Sequence, residues 1–323
     1  MPTDAILSTA RQFLGIDPTV PVTLIPIKRG ASGRTIVRVK ISGRPNFIGI
    51  YYTDERPDSP NFAPVGRFLR KAKLNVPEIF HDNPSRRVTL VEDLGDTDLL
   101  ALKDRPFAER LPVYRSALEQ IDRLFFCKPP KEFELMPPFD GALYAWEQEY
   151  FFEHLVEGLL GESADPLRAN PVFADLAARL GASNKHLVHR DFQSQNILVK
   201  DGQAWLIDFQ GMRGGRQEYD LASLLYDPYL DHTADEREHL LEIWEDISED
   251  RPESSLLAAC ATQRLMQALG AYGNILRRRA DEWYRPHVPV AARLLRETVA
   301  GTPLSAPLET FLAKAARLCF DPP

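Results

Sequence analysis

Apolar positions at Ile6, Leu7, Ala10, Phe13 and Leu14 follow a helical spacing that stops at Gly15, which predicts a helix over 4–15. After Pro18 the pattern changes to runs rich in β-branched residues, and strands are expected over 22–27, 35–39 and 47–52. A short amphipathic helix over 62–73, with Val65, Phe68, Leu69 and Ala72 on one face, separates these from two further strands over 76–80 and 88–91. Beyond Glu92-Asp93-Leu94-Gly95-Asp96 the period becomes helical almost throughout: 107–126, 143–160, 171–180, 219–226, 234–247, 255–278, 288–299 and 308–320. The exception is 196–199 and 204–207, two apolar strand-like runs joined by Asp201-Gly202, which read as a β-hairpin. The chain is of the α+β class, with strands early and helices late.

That hairpin changes the picture, because polar residues bracket it. His189, Asp191 and Asn196 precede it and Asp208 follows its second strand. A hairpin brings its ends together, so Asp191, Asn196 and Asp208 are expected to converge. Two carboxylates so close repel unless a cation lies between them. Carboxylate and amide oxygens suit Mg²⁺, which completes its shell with water and substrate phosphates. Separately each residue reads equally as a turn, cap or loop residue. Upstream, Gly30-Ala31-Ser32-Gly33 lies between two predicted strands, where backbone N–H groups and Ser32 could cover phosphates; a plain hairpin turn is the alternative.

His189-Arg190-Asp191 with Asn196, followed by Asp208-Phe209, resembles the catalytic loop and metal-binding aspartate of the protein-kinase-like superfamily. Gln210 stands where that pattern has glycine, a departure typical of the aminoglycoside phosphotransferase-like branch. Only eleven residues separate Asp208 from Asp220, and no A-P-E motif follows, which leaves little room for a peptide-docking segment. The resemblance implies a two-lobe fold, with a small β-rich N-lobe over 1–94 and a larger, mainly helical C-lobe over 95–323. It implies ATP and Mg²⁺ as cofactors, Asp191 as the residue that takes the proton of the attacking hydroxyl, and Asn196 and Asp208 as metal ligands. Asp220 resembles the Asp that pins the loop from the next helix, and reads equally as a helix cap. Ala31, Ser32 and Gly33 would cover the nucleotide, and Glu92 and Leu94 would meet adenine at the hinge between lobes.

The strand 47–52 carries no lysine to grip phosphate. Arg34 and Arg38 are the candidates for that role, and solvated strand residues the alternative. Ala31-Ser32-Gly33-Arg34 with Arg38, the segment 91–96, Pro138-Phe139-Asp140 leading to Glu147, the hairpin, the segment 219–225 and Gln263-Arg264 are together similar to the bacterial cell-wall amino-sugar kinases. That similarity implies transfer of the γ-phosphoryl group to the anomeric hydroxyl of N-acetylmuramate, N-acetylglucosamine or a related amino sugar, in peptidoglycan recycling. Asp140 and Glu147 are the expected substrate contacts beside Asp191, with Glu149 a further candidate and a solvated helix face the alternative. Tyr144, Trp146, Tyr150, Phe151 and Phe152 enrich the same region and could form an aromatic wall, with core packing as the alternative account of most of them. A kinase of another small molecule, such as an aminoglycoside, a choline-like amine or a hydroxy-amino acid, is the alternative, followed by an idle nucleotide-binding scaffold.

Composition narrows the partners. The 323 residues are 44% hydrophobic, enough for a sizeable core, and carry a net charge of −7 with no prominent basic patch. Neither nucleic acid nor an anionic membrane is expected to bind. No apolar run reaches spanning length and Met1-Pro2-Thr3-Asp4 does not read as a signal peptide, so a cytoplasmic protein is expected, as a monomer or weak homodimer. Cys127, Cys260 and Cys319 are too few and too scattered for a disulfide framework and read as small apolar residues.

Overall fold

A computed structural model describes residues 1–27, 33–248 and 252–318. The strands β1 (Val22–Pro26), β2 (Thr35–Ile41), β3 (Phe47–Tyr51), β4 (Ile79–Asn83) and β5 (Val88–Glu92) form one antiparallel sheet in the order β1-β2-β3-β5-β4. Side chains alternate across a strand, and here the alternation divides the sheet's two faces by task. Val37, Val39, Phe47, Val88 and Leu90 are buried beneath the first helix, α1 (Pro2–Leu14), with Ile6 and Ala10. Gly49 of β3 has no Cβ because Ile6 occupies that space. The opposite face carries Arg34, Ile36 and Arg38 on the β2 side and Ile48 and Ile50 on β3, with Ile36 paired to Ile50 and Arg38 to Ile48.

Helix α2 (Phe62–Lys71) buries Val65, Gly66 and Leu69. It leans on the residues after the catalytic hairpin: Phe62 stacks on Phe209 at 4.9 Å, and the Phe209 ring lies against Gly66. The strand expected over 76–80 begins later, at Ile79. Leu74 and Val76 are buried in the main core instead, and the pairing of β4 with β5 is irregular between Ile79 and His81.

The rest is helical: α3 (Phe107–Phe125), α4 (Gly141–Phe151), α5 (Asp165–Arg168), α6 (Pro171–Gly181) and, later, α7 (Gln217–Leu225), α8 (Ala234–Ile247), α9 (Ser254–Arg279), α10 (His287–Val299) and α11 (Ser305–Ala316). The single helix expected over 143–160 is divided. After Phe151 the chain continues as a π-helix, Phe152–Leu159. Helix α9 is the axis of this half and packs against α4, the π-helical turn, α7 and α10. It passes so close to the π-helix that a Cβ on Gly273 would strike the His154 backbone.

Two small ribbons stand between the halves. β6 (His186–Val188) pairs with β9 (Arg213–Gly215), and β7 (Ile197–Lys200) with β8 (Gln203–Leu206) through the Asp201-Gly202 turn, both of whose residues have positive φ. β6 and β9 are three residues each, too short for a periodicity to announce them. Cys260 is buried and Cys127 half-buried; Cys319 lies outside the described residues. Among the described residues no helix is long and apolar enough to cross a membrane.

Candidate active site

The open end of the β7–β8 ribbon faces a cavity of about 480 Å³ between the sheet and the helices. Asp191, Asn196 and Asp208 all line it. The Ile207 amide donates to the Asn196 carbonyl at 3.0 Å, which closes the ribbon just where the two polar ends meet. Asn196 Nδ2 donates to the Asp191 carbonyl at 2.9 Å and holds the loop 191–196 in a tight coil.

Helix α7 supplies the pins for this loop. Asp220 is not a cap: it sits in the first turn of α7, and its carboxylate accepts the backbone N–H of His189 at 2.6 Å and of Arg190 at 2.8 Å. Burial pushes Asp220 up to about 7, against the opposing pull of those two N–H donors. Asp227, two residues past the end of α7, accepts from the Ser194 amide at 2.7 Å and the Tyr229 amide at 2.9 Å. Asp220 thereby holds backbone that would otherwise relax, since Arg190 has φ +80°, in the left-handed region that costs a non-glycine residue about 1–2 kcal/mol; Asp208, with φ +61°, is in that region too. His189 is buried, and burial pushes its imidazole down.

Asp191 is held by cations. Arg264 Nη2 lies 3.5 Å from its Oδ1 and Arg190 Nε 4.0 Å from its Oδ2. Burial acts to raise the carboxyl, but the two guanidiniums outweigh it and hold Asp191 below the usual carboxylate range. Arg264, from the middle of α9, also donates to Gln193 Oε1 at 2.9 Å and to Ser223 Oγ at 3.2 Å, so it ties the loop to both α7 and α9.

On the sheet side, the cavity wall is an apolar slot of Ile36, Ile48, Ile50, Val91, Leu198 and Ile207, continued by Leu94. Both cleft-facing positions of β3 are isoleucine, so that strand brings no cation. Arg34 does: its side chain is 6% exposed and Nη1 donates to Asp208 Oδ1 at 2.9 Å. Arg38, the other candidate, is engaged elsewhere. Its guanidinium is forked onto Asp93 at 2.5 and 3.0 Å and onto Asp96 at 2.9 Å, which braces the hinge segment rather than facing the cavity. Glu92 lines the cavity edge and accepts from Lys200 Nζ at 2.6 Å. Gly33 has φ +70°, and Ala31 and Ser32 lie outside the described residues.

The expected substrate contacts are placed differently. Asp140 caps α4, accepting the Leu143 amide at 2.8 Å, and is not part of the cavity wall. Glu147 is 1% exposed and accepts from the Tyr219 hydroxyl at 3.1 Å and Gln263 Nε2 at 3.2 Å. Burial pushes Glu147 up; it is a buried countercharge beneath Arg190, Arg264 and Arg213, not a surface presented to a ligand. The helical side of the cavity is formed instead by Trp146 stacked on Tyr150 at 5.4 Å, by Tyr229 and Tyr272, and by Arg264 and Arg279. Of the aromatics near α4, Tyr144, Phe151 and Phe152 belong to the core.

Among the described residues no group of three or more His, Cys, Asp or Glu could hold a metal ion unaided. The donors at the ribbon's end nevertheless fit a hard divalent cation. The Asn196 amide nitrogen is turned to the loop, which leaves its oxygen; among the described residues both hydrogen bonds on Asp208, from Arg34 and Gln210, fall on Oδ1. One carboxylate and one amide oxygen are the sparse protein share that Mg²⁺ takes when phosphate and water supply the remainder.

A β-sheet lobe packed on a helical lobe, with such a loop and ribbon in the cleft, defines a kinase-like phosphotransferase. Over residues 23–257 the sequence matches the phosphotransferase enzyme family, and the chain belongs to it. It is 26% identical over 281 residues to the N-acetylmuramate/N-acetylglucosamine kinase of Neisseria meningitidis serogroup B, covering 81% of this chain and 82% of that protein. The kinase of the same name from Pseudomonas aeruginosa is 25% identical over 308 residues, covering 91% of this chain and 88% of its own length. Among solved structures, choline kinase LicA from Streptococcus pneumoniae is similar with a TM-score of 0.64 at 13% identity, covering 97% of this chain and 100% of that one. The ADP-bound aminoglycoside phosphotransferase APH(2'')-Ib is similar with a TM-score of 0.59 at 13% identity, covering 90% and 96%.

Proposed function

We propose that this enzyme uses ATP and Mg²⁺ to phosphorylate a sugar hydroxyl, namely the anomeric hydroxyl of N-acetylmuramate, N-acetylglucosamine or a closely related amino sugar. The observation that carries the reading is the single cavity in which an apolar slot, Arg34, Asn196, Asp208 and Asp191 follow one another. The slot suits a purine, with the backbone of Glu92 and Leu94 at its edge. Arg34 lies where phosphates would continue from it. Asn196 and Asp208 would hold Mg²⁺, which when bound neutralises charge on the phosphates.

Asp191 orients the acceptor hydroxyl and takes its proton as the hydroxyl oxygen bonds to the terminal phosphorus and the bond from that phosphorus to the bridging oxygen of ADP breaks. Such a site works by position and charge, and little covalent chemistry is asked of the protein. A carboxylate held below its usual range is a weak base, and an anomeric hydroxyl, more acidic than an ordinary alcohol, asks less of one. Arg264 and Arg190 hold Asp191 in the ionised form that accepts the proton.

The acceptor side of the cavity separates this reading from a kinase of cationic substrates. Apart from Asp191 its charged residues, among the described residues, are Arg56, Arg190, Arg264 and Arg279. A guanidinium-lined wall repels an aminoglycoside or choline-like amine and accommodates a neutral or carboxylate-bearing sugar. The Trp146–Tyr150 pair gives a sugar ring an apolar face to lie on.

The test is ATP turnover over a panel of amino sugars and cationic acceptors, with a phosphorus NMR spectrum of the product. The expected result is an anomeric phosphate made by the wild type and a loss of about 10²–10⁴-fold in kcat in Asp191→Asn, with nucleotide affinity kept. Turnover confined to a cationic acceptor would overturn the sugar assignment, and undiminished turnover in Asp191→Asn would overturn the role of that residue.

A further inference from the structure

The Arg34 guanidinium is only half used. Nη1 is bonded to Asp208, while Nε and Nη2 are buried with no hydrogen-bond partner among the described residues. Native interiors rarely leave such donors unpaired, and each costs about 1–3 kcal/mol or more on a charged group. Two open N–H groups on one planar fork match two oxygens of a phosphate. Arg34 lines the cavity, and the cleft-facing residues of β3 are Ile48 and Ile50, so among the described residues it is the cation that the sheet offers there.

Its neighbour across the lobe is Asp58, 5% exposed, with Oδ2 4.0 Å from Arg34 Nη2. Asp58 lies just before α2, the helix that leans on Phe209, and does not line the cavity. It accepts from Arg56 Nε at 3.2 Å. Gln210 is the connector: its Nε2 donates to Asp208 Oδ1 at 2.9 Å and to Asp58 Oδ2 at 3.4 Å. A glycine at position 210 could make neither bond. Asp208 and Asp58 thus flank the guanidinium on two sides, Asp208 at Nη1 and Asp58 beside Nη2.

We infer that Arg34 and Asp58 together replace the strand lysine and its acidic helix partner: Arg34 binds the nucleotide phosphates, and Asp58, tied to Asp208 through Gln210, is the positioning residue that keeps Arg34 over their path. This rests on the nucleotide-binding reading above. The sign of the effect distinguishes it from simple charge. Removing a carboxylate beside a phosphate site should by Coulomb's law alone tighten an anion, whereas losing the anchor of Arg34 should loosen it.

The experiment is titration of the intact chain with a fluorescent trinitrophenyl-ATP in EDTA, together with KM for ATP and melting curves for each variant. Asp58→Asn is expected to weaken metal-free nucleotide binding by about tenfold, the size of one charge-assisted hydrogen bond. KM for ATP should rise in step, and Asp58→Glu should restore most of the affinity. In an Arg34→Ala background the same Asp58→Asn change should add no more than about twofold, because it acts through Arg34. Should Asp58→Asn not fold, Gln210→Met removes the tie without changing charge and is expected to weaken binding in the same direction. Unchanged or tighter binding in a folded Asp58→Asn, or a full additive loss in the Arg34→Ala background, overturns the inference. A wild type that binds no nucleotide would instead overturn the phosphotransferase reading on which it rests.

Discussion

Asp191 keeps its charge because two guanidiniums outweigh the burial that opposes it, and of these Arg264 is the one that can be changed without touching the catalytic loop's own sequence. Removing a cation raises a neighbouring carboxyl, so Arg264→Gln should move the acid limb of kcat/KM against pH to higher pH. The wild-type profile should stay flat down to the pH at which the protein unfolds, while the variant's should fall within the accessible range; superimposable profiles would show that Arg264 does not act on Asp191. At this scale the sequence was most legible where several residues had to agree. Asp191, Asn196 and Asp208 stand together because a motif and a hairpin specify them jointly. Asp140 and Glu147 show the opposite case, since whether a carboxylate caps a helix, neutralises buried arginines or meets a ligand depends on burial, which one strand of text does not contain. Asp58 and Asp227 were missed for a related reason. Asp227 precedes Pro228 and Asp58 precedes Ser59-Pro60, so each looks like an ordinary acid at a chain break, though an acid before proline beside a catalytic helix was a usable signal.

Helix α7 and its C-terminal extension work as one part, with Asp220 and Asp227 gripping opposite ends of the catalytic loop and His232 anchoring the far side. The His232 ring accepts from the Tyr114 hydroxyl of α3, 2.7 Å from Nε2, and faces the Leu225 carbonyl with Nδ1 at 3.3 Å; Arg110 Nη1 donates to that hydroxyl at 2.9 Å. Burial pushes His232 down to about 4. An unfolded histidine takes its proton near 6.5, so between those values the unfolded chain binds more protons and stability falls as pH falls. The contribution is complete above about pH 6.5, is reduced by about 2 kcal/mol at pH 5, and is lost by about pH 4. His232→Gln, which can serve both hydrogen bonds without titrating, should flatten the difference in denaturant midpoint between pH 7.5 and pH 5 by that amount; an unchanged slope would assign the acid sensitivity to other groups. Elements of this kind were visible as periodicity alone. The 3.6 repeat located α3, α8 and α9, and Asp201-Gly202 located the ribbon, because each is a local pattern. The β6–β9 pairing and the π-helix from Phe152 were not visible, since the first is too short to have a period and the second follows from the close crossing of α9 over residues whose apolar spacing still reads as helix.

Taken as one body, the protein carries a net charge of −7 yet presents arginine to its acceptor. The two facts act over different distances. Beyond about 8–10 Å a surface charge is screened at physiological salt, so the overall acidity draws cations only weakly, whereas buried Arg264, half-buried Arg56 and exposed Arg279 at the rim act on the cavity at short range. The local sign should therefore decide the acceptor. A carboxylate-bearing amino sugar is expected to have a higher kcat/KM than its neutral counterpart at low salt, by about threefold to tenfold if each ion pair at this half-exposed wall is worth roughly 1 kcal/mol or less. Raising the salt should narrow that gap by raising KM for the charged sugar and leaving the neutral one unmoved, since only the former loses an attraction. A polycationic aminoglycoside should be the poorest acceptor at every salt concentration, and its turnover should improve as salt rises and the repulsion fades. Measuring kcat/KM for the three acceptors at two salt concentrations decides the matter. An aminoglycoside preferred at low salt would mean that the global field governs the cleft and that the arginines on its wall face away from the acceptor.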